Sequence, residues 1–312
     1  MSKGKIILPG GAGLVGQNLV PRLKDRGYSD IVVLDKHAHN LQVLKQCHPD
    51  VVCELADLSL EGLWQSRFEG ASAVVMLQAQ IGGLDADEFT RNNENATRNV
   101  LSAMQAHGVT QLVHISSSVV ASVGDDLYTR SKKRQEQMVL DSGFSCPILR
   151  PTLMFGWFDR KHLGWLSRFM QRVPVFPVPG SGRYMRQPLY AGDFCNIIIS
   201  CLERPDIRGV FNISGQERID YIDLIRAVKK ATGAGALILR IPYALFHFLL
   251  WVWSLFDRNP PFTTEQLAAL TAGDEFEVID WPTIFGVSST PLATALDETF
   301  NHPQYSKIAL EF

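Results

Sequence analysis

The sequence predicts an α/β fold: a doubly wound parallel sheet with a smaller, discontinuous C-terminal lobe. Two observations lead to this prediction. Short apolar strand patterns alternate with helical patterns through the first half of the chain, as in sheets wound on both faces. The first strand pattern also runs straight into a glycine cluster, Gly10-Gly11-Ala12-Gly13-Leu14-Val15-Gly16, before a helical pattern at 17–24. With 312 residues, the chain is long enough for one large domain that carries a lobe.

The glycine cluster has the spacing G-x-x-G-x-x-G, formed by Gly10, Gly13 and Gly16. A tight turn from strand to helix needs residues without Cβ: one makes the bend, one lets the backbone approach a pyrophosphate, and one packs the helix on the sheet. The first turn of the helix, at Leu14 and Val15, then offers free N–H groups and the positive end of the helix dipole. The cluster therefore predicts dinucleotide binding, and the alternative is a purely structural glycine turn.

The other strands of the sheet follow in a regular order. Apolar runs predict strands at 31–34, 51–55, 73–77, 111–115 and 145–150, and helical periodicity predicts helices at 92–107 and 128–142. Polar residues stand just beyond several of these strands, namely Asp35, Asp57, the serines at 116–118 and Arg150. Because ligands of doubly wound sheets bind beyond the carboxyl ends of the strands, these residues are candidates for one crevice.

The sequence changes character after Pro151. Prolines and glycines between 174 and 182 predict a loop-rich stretch outside the regular core. A helix that opens near Asp193 and a strand at 209–213 predict that the chain returns to the sheet, and a helix at 221–232 belongs to the lobe. We therefore expect a Rossmann dinucleotide-binding domain over 1–151, completed by about 188–214, and a substrate-binding lobe made of 152–187 and 215–312.

Composition excludes some functions and suggests a compartment. A net charge of −2 leaves no broad basic field for a nucleic-acid partner. The five cysteines are odd in number and contain no C-x-x-C pair, which is typical of a reducing cytoplasm and indicates no metal site. The first strand pattern begins so close to Met1 that we expect no signal or transit peptide, and hence a cytoplasmic protein.

One segment, 241–256, is apolar almost all round. It is shorter than the roughly 20 residues that span a bilayer, and a helix without a polar face must bury every side. Three interpretations stay open: a helix of the lobe over the substrate pocket, attachment to a membrane surface, or an oligomer contact. Its Trp and Phe residues suit the membrane alternative.

The residue that ends the second strand bears on the choice of cofactor. Asp35 stands about 20 residues beyond the glycines, where an acidic side chain binds the adenosine ribose hydroxyls. Its charge would repel a 2′-phosphate, although the neighbouring Lys36 could receive one. The sequence therefore favours NAD, and NADP is the less favoured alternative.

A tyrosine and a lysine lie four residues apart on the helix predicted at 128–142. Tyr128 and Lys132 thus share one face of that helix. A phenol is a poor base at neutral pH, and a nearby ammonium would lower its pKa towards the working range. Lys132 could also hold the nicotinamide ribose, and a hydroxyl of Ser117 or Ser118 would polarise the reacting carbonyl or alcohol. The pattern predicts a Ser/Tyr/Lys site for hydride and proton transfer.

With these motifs the chain resembles the extended short-chain dehydrogenase/reductases, the NAD-dependent epimerase/dehydratase group. The resemblance implies that Ser118 is the carbonyl partner and that Tyr128 is the acid/base. It further implies contacts with the cofactor along the strand ends, made by Gly10, Gly13, Leu14, Val15, Gly16, Asp35, Lys36, Asp57, Leu58, Leu77, Gln78, Ala79, Asn95, Ile115, Ser116, Tyr128, Lys132, Pro151 and Leu153. The substrate would be bound by Ser118, Gln80, Met154 and Arg186. Such enzymes commonly dimerise through two helices, so a homodimer is compatible with the resemblance.

Substrate and reaction stay open at this point. Arg186 stands seven residues before Asp193, where the resemblance implies a clamp for the diphosphate of a nucleotide-sugar. The leading hypothesis is therefore an epimerase, dehydratase or dehydrogenase of a nucleotide-sugar. The second hypothesis is a reductase of a hydrophobic alcohol or ketone. It is favoured by Leu153, which replaces the asparagine of many such enzymes, and by the apolar segment 241–256. The third hypothesis is a nucleotide-bound protein without turnover that resembles the accessory subunit of respiratory complex I.

Overall fold

A computed structural model describes residues 3–256, 263–272 and 277–311. Its strands, in chain order, are β1 (Lys5–Pro9), β2 (Ile31–Asp35), β3 (Val52–Leu55), β4 (Ala71–Met76), β5 (Gln111–Ile115), β6 (Pro147–Pro151), β7 (Met154–Phe155), β8 (Val175–Pro179), β9 (Met185–Arg186), β10 (Leu189–Tyr190), β11 (Gly209–Ile213), β12 (Ile219–Asp220) and β13 (Leu237–Ile241). Seven of them form one parallel sheet in the order β11-β6-β5-β4-β1-β2-β3. The predicted doubly wound sheet is thus confirmed.

Helices cover both faces of the sheet and also build the lobe. They are α1 (Leu14–Asp25), α2 (Ala38–Cys47), α3 (Ala86–Phe89), α4 (Ala96–Ala106), α5 (Leu127–Asp141), α6 (Leu163–Arg172), α7 (Ala191–Glu203), α8 (Tyr221–Thr232), α9 (Tyr243–Ser254), α10 (Thr264–Ala272), α11 (Trp281–Phe285) and α12 (Leu292–Asn301). Ile6 and Leu8 of β1 pack with α1 and α7, whereas Ile7 packs on the opposite face with α4. Both faces of this strand are therefore buried, as parallel sheets require.

The helix predicted at 92–107 is divided in two. Residues Thr90–Asn95 form a π-helical segment, and regular α-helix begins only at Ala96. The wider turns of the π-helix carry Asn93 into the interior, where it is fully buried. A periodicity argument does not distinguish this geometry from an ordinary helix.

The proline-rich stretch near 174–182 was expected to be loop, and that expectation is wrong. β8 pairs in parallel with β13, and its Phe176 and Val178 are buried in the core of the lobe. Pro177 and Pro179 are tolerated because β8 has a neighbour on one side only, so their missing N–H groups interrupt no second ladder.

The apolar segment forms a helix, α9, which the rest of the described chain covers only in part. Leu245, Phe248, Leu249, Trp251 and Trp253 are each between 49% and 53% exposed. No helix of the described residues is long and apolar enough to cross a membrane. The lobe therefore presents a largely uncovered apolar helix.

Two later pieces of the predicted lobe pack against the sheet domain. Trp281 of α11 is fully buried, and its indole N–H donates to the Ser214 carbonyl over 2.8 Å. Near the C-terminus, Asn40 of α2 exchanges two hydrogen bonds with the backbone of Glu311, at 2.7 and 2.9 Å. These contacts fix the discontinuous segments to the sheet.

Candidate active site

The glycine turn between β1 and α1 has a different constraint at each glycine. Gly10 has a φ of +74°, and a Cβ there would lie 2.3 Å from the Gln78 Cα, so only glycine fits. A Cβ on Gly16 would lie 2.0 Å from the Gly11 carbonyl oxygen, which shows how closely α1 packs on the turn. Gly13 differs, since the nearest atom to its Cβ position is 3.8 Å away. Within residues 3–256, 263–272 and 277–311 no side chain caps the N–H groups that follow Gly13, so the turn fits a dinucleotide pyrophosphate.

Asp35 lies beside this turn. Its buried carboxylate accepts hydrogen bonds from the backbone N–H groups of Ala12 at 2.9 Å and His37 at 3.0 Å. These bonds fix the carboxylate at the end of β2, next to the loop predicted to bind a dinucleotide. The adjacent Lys36 is exposed. A negative charge held at this point favours ribose hydroxyls over a 2′-phosphate.

Beyond β3, Asp57 and Leu58 face different ways. Asp57 is exposed, and its carboxylate accepts hydrogen bonds from the backbone and hydroxyl of Ser59 at 2.9 and 2.7 Å. Leu58 is buried in the core beneath α4. Asp57 is thus the one of the two whose side chain could reach a bound adenine.

The residues after β4 are positioned by the side-chain amides of Asn93 and Gln135, which were not among the predicted site residues. Leu77 continues the ladder with β1, and Ala79 is exposed. Gln80 exchanges two backbone hydrogen bonds with the buried side chain of Asn93, at 2.6 and 3.2 Å, and the Gln78 carbonyl accepts one from Gln135 at 3.3 Å. The predicted Asn95 instead accepts a hydrogen bond from Arg98. The one signal for Gln135 was its position three residues after Lys132, on the same helix face.

The serines after β5 have separate partners. The hydroxyl of Ser116 donates to the Glu136 carboxylate over 2.5 Å, and Ser118 begins a short 3₁₀ turn. Ser117 is the serine whose hydroxyl lies close enough to the Tyr128 phenol to lower its pKa. The structure thus places Ser117 near the tyrosine.

The expected lowering of the Tyr128 pKa by Lys132 is not found. Burial raises the pKa of Tyr128 above its usual value of 10.0, and the nearby Ser117 hydroxyl opposes that rise. The Lys132 Nζ instead donates to the Ile115 carbonyl at 3.1 Å and to the Gln135 side chain. The phenol is therefore protonated at neutral pH.

Lys132 itself is fully buried. Burial lowers the pKa of its amine to about 7, and the carboxylate of Glu136 partly opposes that change. His114 of β5 is buried nearby, and burial together with Lys132 holds the pKa of its imidazole well below 6.5. His114 is therefore neutral. The amine thus changes charge close to neutral pH, which gives the site a second proton-exchanging group.

Glu136 and Arg150 form a partly buried ion pair beside Ser116. The Arg150 Nε donates to Glu136 Oε2 over 3.0 Å, and its Nη2 donates to the other carboxylate oxygen. This bidentate contact raises the pKa of the guanidinium. The pair ties the end of β6 to α5, so it positions the helix face that carries Tyr128 and Lys132.

The site residues predicted in the second half of the chain lie in β6, β7 and β9 and in the link between β6 and β7. Pro151 is buried at the end of β6, Met154 is partly buried in β7, and Leu153 between them is 44% exposed. Arg186 lies at the antiparallel pair of β9 and β12, where its guanidinium donates to the Leu270 carbonyl and stands 5.8 Å from the Tyr184 ring. Leu153 thus exposes an apolar side chain just beyond the end of β6.

Comparison with known proteins identifies the class. The model of the NAD dependent epimerase/dehydratase family matches residues 6–214, more than half of the 312 residues. This chain therefore belongs to the NAD-dependent epimerase/dehydratase family, and the resemblance found in its motifs is confirmed.

Two relatives that match most of this chain have names that describe different functions. The 4-hydroxy-2-methyl-3-oxo-4-farnesyl-3,4-dihydroquinoline-1-oxide ketoreductase of Stigmatella aurantiaca is 23% identical over 261 residues, covering 77% of this chain and 76% of that protein. Subunit 9 of the mitochondrial NADH dehydrogenase (ubiquinone) 1 alpha subcomplex of Rattus norvegicus is 25% identical over 298 residues, covering 91% of this chain and 76% of that subunit.

Solved structures confirm the fold. The Bordetella bronchiseptica enzyme WbmG, in complex with NAD and UDP, matches with a TM-score of 0.74. Its identity is 17%, and the match covers 99% of this chain and 97% of that one. At that identity the likeness concerns the fold alone.

Proposed function

We propose that this protein is an NAD-dependent reductase of an apolar ketone, able in reverse to oxidise the corresponding alcohol. The observation that supports this reaction best is the Tyr128 phenol, which lies near Ser117 and which burial keeps protonated. A protonated phenol is an acid at neutral pH. It suits donation of a proton to a carbonyl oxygen as that oxygen becomes a hydroxyl.

Each residue has a separate task in this proposal. Ser117 or Ser118 donates a hydrogen bond to the substrate oxygen, and Tyr128 passes its proton to the same atom. The N–H groups after Gly13 would hold the pyrophosphate, and Asp35 the adenosine ribose, which favours NAD over NADP. Bound NADH would supply the hydride that the carbonyl carbon receives.

An apolar substrate is supported by two observations. Leu153 exposes an aliphatic side chain beside the strand ends. A relative that covers most of this chain is named as the ketoreductase of a farnesyl-bearing compound. Apolar contacts favour a substrate without phosphate, since a phosphate would need charged or polar partners there.

A nucleotide-sugar epimerase or dehydratase is the second candidate, and Arg186 is the observation that favours it. Its guanidinium is suited to diphosphate oxygens, and the similarly folded Bordetella enzyme was solved with UDP. In the present structure Arg186 already donates to the Leu270 carbonyl. A diphosphate would therefore have to displace that contact.

The first prediction concerns Tyr128→Phe. With NADH and a panel of prenylated quinolones, steroid ketones and long-chain ketones, wild type should oxidise NADH. The variant should lose turnover by about 100-fold to 10,000-fold, because the proton donor is gone. Its affinity for NADH, measured by calorimetry, should stay unchanged.

Tyr28→Phe is the matched control, because Tyr28 lies before β2 at the opposite end of the sheet, beside Lys3. It should keep wild-type activity. Unchanged turnover in Tyr128→Phe would refute the proton-transfer role. Conversion of UDP-sugars but not of ketones would favour the nucleotide-sugar enzyme over the ketone reductase. Tightly held NAD that no compound reduces or oxidises would refute both candidate activities.

A further inference from the structure

The side chain of Gln135 lies fully buried on α5 and has hydrogen-bond partners at both ends of its amide. Its oxygen accepts a hydrogen bond from the Lys132 Nζ. Its nitrogen donates to the Thr97 hydroxyl over 2.9 Å and to the Gln78 carbonyl over 3.3 Å. A buried polar side chain is costly unless its groups are paired, and here both ends are. The amide therefore links the lysine to α4 and to the residues after β4.

Chemistry fixes the direction in which this amide points. An ammonium group offers only donors, and a backbone carbonyl offers only acceptors. The amide oxygen must therefore face Lys132, and the amide nitrogen must face the Gln78 carbonyl. A reversed amide would set donors against donors at one end and acceptors against acceptors at the other. The negative end of a fixed dipole thus stands at the amine.

The partners of the amide nitrogen are themselves held inside the molecule. Thr97 is fully buried, and its hydroxyl also accepts a hydrogen bond from the Gln78 side chain over 3.4 Å. Helix α4, helix α5 and the end of β4 therefore meet at one hydroxyl group. Buried hydrogen bonds that share partners in this way rigidify a site, so Gln135 is clamped in place.

The amine also has titratable neighbours. Glu136 on α5 favours its charged form, and Arg150 of β6 pairs with that carboxylate. His114 on β5 is neutral, because burial and Lys132 hold the pKa of its imidazole well below 6.5. Tyr128 stands one turn earlier on α5 and is protonated. Burial opposes the charged amine, and an acceptor oxygen held against it counters that cost.

We propose that Gln135 is a positioning residue, whose clamped amide holds the Lys132 amine at one place in the site and stabilises its charged form. The Ile115 carbonyl accepts a second hydrogen bond from the amine over 3.1 Å. An ammonium has three N–H donors, and within the described part of the chain these two acceptors leave one for a bound cofactor. The inference deepens the proposed function and rests on it in this last step, since Lys132 is predicted to hold the nicotinamide ribose.

The experiment follows the titration of the Lys132 side chain by NMR in the full chain with isotope-labelled lysine, and Lys132→Met identifies its resonance. Gln135→Met keeps the length of the side chain and removes both ends of the amide. It should lower the pKa of Lys132 by about one unit or more, because a hydrogen bond to a charged group is lost. Gln137→Met is the matched control, since Gln137 is exposed on the same helix and bonds to Asp141. It should leave the titration unchanged.

Thr97→Val tests the clamp, because it keeps the shape of the side chain and removes the hydroxyl. The pKa of Lys132 should fall by less than in Gln135→Met. In the double variant Gln135→Met/Thr97→Val the fall should equal that of Gln135→Met alone, because Thr97 acts on the amine only through Gln135. Falls that add up in the double variant, or an unchanged pKa in both single variants, would overturn the proposal.

NADH binding, measured by calorimetry over a range of pH, is the readout that rests on the proposed function. Wild-type affinity should fall as the pH rises through the pKa of Lys132, because the neutral amine attracts the anionic dinucleotide less. In Gln135→Met this fall should begin about one pH unit lower. A lower pKa with an unchanged NADH profile would support the positioning role and contradict the contact between Lys132 and the cofactor.

Wild type alone decides the matter if both single variants misfold. Nuclear Overhauser contacts between the Lys132 ammonium protons and the Gln135 side chain would then support the proposal. Their absence, with the ammonium protons visible, would overturn it.

Discussion

At the scale of single residues, Lys132 has the most unusual environment of the site. It is 1% exposed, and its amine donates to the Ile115 carbonyl and the Gln135 side chain. Burial lowers the pKa to about 7, whereas the unfolded chain keeps a value near 10.5. Between these two values the unfolded state binds more protons, so folding stability should rise with pH over that window.

A prediction follows for Lys132→Met. The difference in unfolding free energy, wild type minus variant, should grow with pH by about 1 kcal/mol per unit between about pH 7.5 and pH 9, because only wild type has the buried amine. Urea unfolding at a series of pH values measures this. Lys133→Met, which removes the next lysine of α5, should give a flat difference. A flat difference for Lys132→Met as well would show that the amine is not buried in solution.

At the scale of elements, the glycines of the β1–α1 turn are under different structural constraints. Gly16 has no space for a Cβ because α1 lies against the Gly11 carbonyl, so the glycine is required by packing. Gly13 has a φ of −80°, and no protein atom lies closer than 3.8 Å to its Cβ position. Nothing in the fold itself requires glycine at position 13. A ligand close to the backbone would explain why the residue is there.

Two alanine variants separate these roles. Gly16→Ala should lower the free energy of unfolding by about 1–3 kcal/mol, because the added methyl overpacks the turn. Gly13→Ala should change it by less than about 1 kcal/mol. It should nevertheless weaken NAD binding at least about tenfold in calorimetry, since the methyl would stand where the pyrophosphate approaches.

Gly235→Ala is the control for this pair, because no atom lies within 4 Å of its Cβ position. It should leave both stability and NAD binding unchanged. If Gly13→Ala bound NAD as tightly as wild type, the pyrophosphate could not sit against that residue.

At the scale of the whole molecule, one arginine joins the sheet domain to segments from the second half of the chain. Arg22 of α1 donates to the Tyr190 hydroxyl at 3.0 Å and to Glu298 of α12 at 2.9 Å. Its guanidinium carbon also stands 4.1 Å from the Trp157 ring centre. The lobe is therefore connected to the dinucleotide-binding half through specific polar contacts as well as through the chain itself.

We expect Arg22→Met to lower the free energy of unfolding by about 1.5–3 kcal/mol, because it removes charged hydrogen bonds at a largely buried site. Chemical denaturation provides the measurement. Arg226→Met breaks an exposed ion pair with Asp223 in α8 and should change stability by less than about 0.5 kcal/mol. Equal effects of the two substitutions would show that Arg22 does not link the two halves.

Much of the molecule could be predicted from patterns along the chain. The strand at 111–115, the strand at 209–213 and the helix at 221–232 are found with the predicted bounds, and the other predicted strands of the sheet differ by at most two residues at either end. Strand alternation, the glycine spacing and the position of Asp35 could be predicted because each depends only on residues close together in the chain. The assignment to a family followed from the same motifs.

Other features depended on contacts between distant residues. The Lys132 amine donates to the Ile115 carbonyl and to Gln135, and the hydroxyl of Ser116 donates to Glu136, so strand and helix residues far apart in the chain set these partners. Prolines could enter β8 because only β13 pairs with it, and the sequence around β8 does not reveal that neighbour. Composition marked α9 as apolar, but only the packing of the lobe determined that the helix stays uncovered.

The sequence by itself therefore determined the doubly wound sheet, the glycine turn and the family, because these rest on periodicity and on residues close together in the chain. The tertiary structure alone decided the protonation of Tyr128 and Lys132, the serine near the tyrosine and the exposure of α9. Burial and hydrogen bonding are set by groups brought together from far apart, so no local pattern contains them.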